Sequence, residues 1–194
     1  DEMNKRGDFI MANYPNHPDN AEIYRIKGEV AYVANNFEDA IAYLKRYESM
    51  SPQVLRKNLY ILGISHIRTN RYNSAIPYLQ RVTTEVDEMT ENAYLHLGNA
   101  FIRINDKVNA RMAFEAALRT NFNKRVREEA LLNYALTTYE TNSAFGESIS
   151  AFEQFLNEFP NSREANKVKS YLALEYMSTK NYEVAYQSIQ RIAQ

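Results

Sequence analysis

Three of the chain's five glycines, Gly28, Gly63 and Gly98, stand 35 residues apart. The same shift carries Ala110 onto Ala75 and Ala40, and Phe114 onto Leu79 and Leu44. Self-similarity at a fixed period of about 20–50 residues marks a stacked array of short units, and it excludes a single irregular core. For 194 residues the register therefore decides between one large domain and a repeat array, in favour of the array.

The content of each unit is legible in the stretch Ala93 to Leu118, AYLHLGNAFIRINDKVNARMAFEAAL. Two amphipathic runs meet at a polar turn, Asn105-Asp106, with Gly98 in the first run and Ala110 in the second. Glycine inside a helix costs about 1 kcal/mol against alanine, so close approach of a neighbouring helix must offset it. The small residue of the second helix, Ala40, Ala75 or Ala110, is expected to complete that contact. Apolar residues then follow at spacings of three and four: Phe37, Ala40, Ile41, Leu44, Tyr47 in one copy and Tyr72, Ala75, Ile76, Leu79, Val82 in the next. This is a helical stripe and not strand alternation.

Along the chain, the phrase from Phe9 through Asn16, FIMANYPN, parallels Gln154 through Asn161, QFLNEFPN, so the first residues read as the second helix of a repeat. Asp19 or Asn20 caps the next helix, which reaches about Ala34, and its partner runs from about Phe37 to Ser49. Ser51-Pro52 reads as a cap followed by proline at the first helical position, starting a helix that reaches about Arg68. Pro77 would lack a hydrogen bond inside a helix, and a late start near Asn73 is the expected accommodation. The third copy places helices near 90–104 and 106–119. In the fourth, Ala135 replaces glycine, Ser148 replaces alanine, the spacing grows to 37 and 38, and a longer turn from Thr141 to Gly146 carries Phe145. Ala173, Tyr182, Ala185 and Ile189 mark a fifth copy. With no polar helix closing either end, the chain reads as part of a longer array or as one whose ends are covered by symmetry partners.

The small residue, the turn aromatics Phe37, Tyr72 and Tyr182 (Lys107 departs in the third copy), the following alanine, the bulky residue and the closing prolines Pro15, Pro52 and Pro160 together resemble the tetratricopeptide repeat family. The resemblance covers essentially the whole chain. It implies an all-α solenoid of about eleven stacked antiparallel helices, with a truncated repeat at 1–16, repeats at 19–51, 52–86 and 87–122, an irregular one at 123–160 and a last one at 162–194. The phrases FLNEFPNS and FIMANYPN are also similar to repeats in bacterial cell-envelope members, which tilts the expected location towards the periplasm.

Chemistry is sparse. His17, His66 and His96 are too scattered for a paired metal motif, and no nucleophile elbow or phosphate loop occurs. His66 on its apolar helix reads as a core or groove residue. The acidic pairs Glu38-Asp39 and Glu128-Glu129 read as helix starts complementing the macrodipole. No cofactor or metal is implied, and the expected function is non-catalytic. Lys plus Arg is 23 against 24 Asp plus Glu, so no net field draws nucleic acid or an anionic membrane. No apolar run approaches the length of a spanning helix. The lack of cysteine excludes disulfides and thiolate metal sites.

In the family the first helix of each pair lines a concave groove. By register, the resemblance places Arg25, Glu29, Tyr32, Tyr60, Ile64, Ile67, Arg68, Leu95, Asn99, Ile102, Arg103, Leu132, Leu136, Tyr139, Leu174 and Met177 on it. Apolar, aromatic and arginine residues suit recognition of a peptide or helical segment of another protein. Chaperone-binding members grip a peptide carboxylate with five residues. Asn99, Asn133 and Lys167 fall on three of those positions, but Leu95 and Tyr171 occupy two where the family has charge. The alternatives are single-stranded RNA binding, since pentatricopeptide repeats share the 35-residue period, and a spacer role within a longer protein. RNA binding would need a basic face, which balanced charge argues against.

Overall fold

The computed structural model describes residues 2–15, 17, 19–141, 146–179 and 182–192, with the side chains of residues 182, 183, 185 and 188 excepted. Phe145 and the side chains of Tyr182 and Ala185 thus lie outside the described residues. Among these residues there are eleven α-helices and no strand. They are α1 (Glu2–Asn13), α2 (Asn20–Val33), α3 (Phe37–Met50), α4 (Arg56–Arg68), α5 (Tyr72–Val82), α6 (Glu88–Arg103), α7 (Lys107–Leu118), α8 (Lys124–Glu140), α9 (Glu147–Glu158), α10 (Ala165–Ser178) and α11 (Tyr182–Ile192).

Consecutive helices pack on one another throughout. Beyond that, α2 touches α4, α4 touches α6 and α6 touches α8, whereas α3, α5, α7 and α9 make no such contacts among themselves. The even-numbered helices therefore line the inside of a curved stack and the odd-numbered ones its outside. Outer neighbours are bridged by side chains instead: Arg81 pairs with Glu48 at 3.2 Å and Arg111 with Glu147 at 2.8 Å.

The inner helices α2, α4 and α6 end in the same way. Asn35, Asn70 and Asn105 adopt left-handed backbone with φ of 59°, 59° and 62°. Their N–H groups donate to Tyr32, Ile67 and Ile102, and the next residue's N–H donates five residues back, to Ala31, His66 and Phe101. This doubly bonded termination needs a residue that tolerates positive φ, and asparagine is the common choice after glycine. Asn36 and Asp106 then cap α3 and α7, accepting from the N–H of Asp39 and Asn109.

The glycine register is a packing register. A Cβ built on Gly28 or Gly63 would lie 2.5 Å from the side chain of Leu44 or Leu79, and one on Gly98 would run into the Phe114 ring. The nearest obstacle is thus the bulky residue four positions after the alanine. Ala40, Ala75 and Ala110 are fully buried, as are Leu44, Leu79 and Phe114. In the fourth pair, Ala135 opposes the large core of Phe152, Phe155 and Phe159.

A second register, of charged residues, ties the loops. Arg56, Glu91 and Arg127, 35 and 36 residues apart, occupy matching positions near the starts of α4, α6 and α8. Arg56 donates to the Val82 carbonyl at 2.7 Å and to Asp87, the cap of α6, through both terminal nitrogens. The fully buried Glu91 accepts from the Thr120 hydroxyl and from the N–H groups of Phe122 and Asn123 at 2.8–2.9 Å. Arg127 donates to the Leu118 carbonyl and to both oxygens of Glu158. A buried charge so fully bonded fixes the geometry of the connection it holds.

Three local expectations are corrected. Ser51-Pro52 does not start a helix: Ser51 closes α3, its hydroxyl donates to the Gln53 carbonyl at 2.8 Å, and α4 begins only at Arg56. The Tyr47 hydroxyl, accepting from the Leu55 N–H, holds the intervening loop against α3. Pro77 sits inside α5, which starts at Tyr72, one residue before the expected late start. Its missing N–H leaves the Asn73 carbonyl without a helical partner, at an exposed site where water can replace it. Glu128 and Glu129 fall in the second turn of α8, beyond its N-terminal cap.

Gly63→Ala is expected to lower thermal stability. Overpacking against Leu79 costs about 1–3 kcal/mol and outweighs the roughly 1 kcal/mol of helix propensity gained. Calorimetric melting measures the shift, and a rise in midpoint would show that Leu79 yields at no cost.

Candidate partner-binding face

The sixteen positions placed on the groove by register divide sharply in the structure. At the N-terminal end, Arg25 donates to Glu29 at 2.6 Å and grips Glu22, while Glu29 also accepts from Lys57 at 3.0 Å and Asn58 at 2.9 Å. Burial alone would raise the Glu29 carboxyl, but the hydrogen bonds from Asn58 and Lys57 outweigh it and hold the group below its ordinary range. This end is charged but satisfied within the chain.

Ile64 and Leu95 are buried in separate core clusters and leave the face. Tyr32, Tyr60 and Ile67 are half-buried over the cluster containing Ile64, Leu59 and Leu97. Asn133 donates to Asn99 at 3.0 Å, Asn99 donates to Glu129 at 3.3 Å, and Lys167 lies 3.7 Å from Glu164. With Leu95 buried and Tyr171 packed into an aromatic group, the five register positions do not assemble as a carboxylate grip. Arg103 donates its Nε–H to the Tyr72 hydroxyl at 3.1 Å and lies over that ring at 5.4 Å. Arg68 is exposed.

The C-terminal end is apolar. Leu132, Leu136 and Tyr139 are half-buried against Phe152, Phe155 and Leu172. Tyr139 meets Tyr171 edge-on at 5.0 Å, and Tyr171 stacks on Phe152 at 5.7 Å. Ile102, Leu174 and Met177 are open, at 37%, 53% and 46% exposure. Here the stack also widens. Unlike those of the earlier inner helices, the backbones of α8 and α10 stand apart, and side chains such as Tyr139 and Tyr171 span the gap. A cavity of about 350 Å³ lies between them, lined by Arg125, Glu128, Glu129, Leu132, Ser162, Arg163 and Glu164.

Sequence reasoning missed the contribution of His96, which is half-buried on α6 and near Arg68; its isolation among apolar neighbours offered no signal. His66 is core: its ring stacks on Tyr78 at 5.5 Å, and Nδ1 finds no partner. Burial pushes both imidazoles below 6.5, His96 to about 4. Among the described residues no group of three His, Asp or Glu could hold a metal ion, and no helix is long and apolar enough to cross a membrane.

A tetratricopeptide repeat family model matches residues 11–54 and 60–126, more than half of the chain. The chain belongs to the tetratricopeptide repeat family, a class of helical scaffolds for protein–protein interaction. No curated relative matches it in sequence. Among solved structures it is similar to "MamA" (22% identity, TM-score 0.68, covering 86% of this chain and 92% of that one). It is similar also to "YrrB: a TPR protein with an unusual peptide-binding site" (15% identity, TM-score 0.72, covering 96% and 90%). At these identities the likeness is one of fold.

Two outcomes follow from this packing. Tyr139→Arg and Leu136→Arg remove side chains from the Phe152 cluster, so each is expected to lower stability by about 1–3 kcal/mol; equal melting points for variants and wild type would place them on a free surface. Because His66 and His96 titrate below their unfolded value, the unfolded chain binds protons that the folded chain refuses, between pH 6.5 and about 4. Stability is therefore expected to fall as pH drops through that window. His96→Gln should flatten the decline in a series of melts from pH 7 to 4.5, and an unaltered slope would remove His96 as a cause.

Proposed function

We propose that the chain binds a peptide or helical segment of another protein along its inner face, chiefly through its C-terminal half. One observation carries the reading. The register row Tyr32, Ile67, Ile102, Tyr139 and Met177 is apolar in all five inner helices, and two of its members, Ile102 and Met177, stand open, with Leu174 exposed beside Met177. An apolar row on a rigid curved support suits an extended or amphipathic segment, whose own apolar residues would leave water on docking. The satisfied ion network at Arg25 and Glu29 contributes solubility and shape at the other end. That a structure of the same fold has a peptide-binding site, as the name of "YrrB" states, adds support at the level of the scaffold.

The test uses the open positions of that row. Peptides selected from a random display library on the intact chain are measured by fluorescence anisotropy against wild type, Ile102→Arg and Met177→Arg. Both variants are expected to weaken binding about tenfold or more with little change in melting point. Selected peptides that bind both variants as tightly as wild type, or no selectable peptide at all, would overturn the reading.

A further inference from the structure

One arginine of the inner face lacks what its counterpart has. Arg103 is satisfied by the hydroxyl and ring of Tyr72. Moved back by one repeat, Arg103 becomes Arg68 and Tyr72 becomes Phe37, a ring without a hydroxyl. The Phe37 ring is occupied instead by Tyr32, edge-on at 6.0 Å. Arg68 is exposed and makes no hydrogen bond or ion pair with any described residue.

The groups around Arg68 are likewise unspent. Tyr32 from α2, Tyr60 from α4 and His96 from α6 all feel its charge, and none of the three side chains makes a hydrogen bond. No carboxylate acts on any of them, whereas Arg25, a third arginine of the inner face, has two. Burial raises the Tyr60 hydroxyl to about 12 and lowers His96 to about 4. At neutral pH the cluster thus holds one positive charge and two hydroxyl donors, drawn from three consecutive inner helices that touch one another.

We propose that Arg68, with the hydroxyls of Tyr32 and Tyr60 and the imidazole of His96, receives an aspartate or glutamate side chain of the bound segment. A guanidinium presents paired donors that match a carboxylate's two oxygens. One cation balances one carboxylate, while a phosphate dianion would find no second charge here. The site rests on the groove binding proposed above and gives the partner its chemistry: an acidic residue next to apolar ones, the acid over Arg68 and the apolar side chains over Ile67, Ile102 and Met177.

The direct probe is the end-blocked tripeptide Ala-Glu-Ala, titrated into the intact chain while the arginine Nε–Hε resonances are followed by NMR. A saturable shift of the Arg68 resonance is expected, absent with Ala-Gln-Ala and weakened by added salt. Tyr60→Phe should reduce the response without abolishing it. Acetyl-trialanine with a free terminal carboxylate and inorganic phosphate are run in parallel, and a response to either but not to the blocked glutamate peptide overturns the assignment. Arg68→Gln, which breaks no internal bond, should leave the melting point unchanged and cost display-selected peptides about tenfold in affinity. If selected peptides depend on Ile102 and Met177 but bind Arg68→Gln equally well, the carboxylate site falls and the groove stands. If blocked Ala-Glu-Ala shifts Arg68 but no peptide is ever selected, the groove falls and the site stands.

Discussion

A large side chain driven into the hollow left by a helical glycine is the contact on which this architecture depends. Leu44, Leu79 and Phe114 reach so close to Gly28, Gly63 and Gly98 that no other residue type fits without displacement. The penalty of glycine within a helix is local, but the close approach it permits recurs at each pair and so fixes the angle and separation of successive units. Where the fourth pair has Ala135, the opposing core changes character to three phenylalanines, and the backbones of the inner helices α8 and α10 stand further apart, joined by side chains of that cluster. The widened step and the apolar surface beside it coincide with that change in the register.

The charged register works alongside the apolar one. Arg56, Glu91 and Arg127 take the same place in successive units, yet their charges alternate and their partners differ: a carbonyl and a cap carboxylate, two N–H groups and a hydroxyl, a carbonyl and a helix-end carboxylate. What is conserved in geometry is the job of holding the connection between one pair and the next. Each solution is specific to its own loop, so the sign of the charge is free to vary while the position is not.

Much of the fold was legible because it rests on period. The glycine, alanine and bulky positions recur at a fixed spacing, and a fixed spacing survives without knowledge of tertiary contacts. The Asn35, Asn70 and Asn105 turn register lay equally open in the sequence, and only Asn105 was read as a turn. Ser51-Pro52 misled because its start signal is local, whereas the Tyr47 hydroxyl that pulls the following residues into a loop acts from the preceding helix. The groove positions were legible as addresses and not as environments. Whether an inner-face residue is open depends on the neighbouring unit: Ile64 and Leu95 are covered, Leu174 and Met177 are not, and nothing in their own spacing separates the two cases. The loneliness of Arg68 is invisible until Phe37 and Tyr72 are seen to occupy the same place.

The inner helices abut through side chains packed out of water, while the outer ones are linked across a gap by pairs such as Glu48 with Arg81 and Arg111 with Glu147. The inside of the curve therefore behaves as a hinge line and the outside as a set of electrostatic springs. Dissolved ions weaken springs of this kind but scarcely affect the hinge. Ionic strength thus bears more on the outer face of the stack than on the inner packing that keeps the units together.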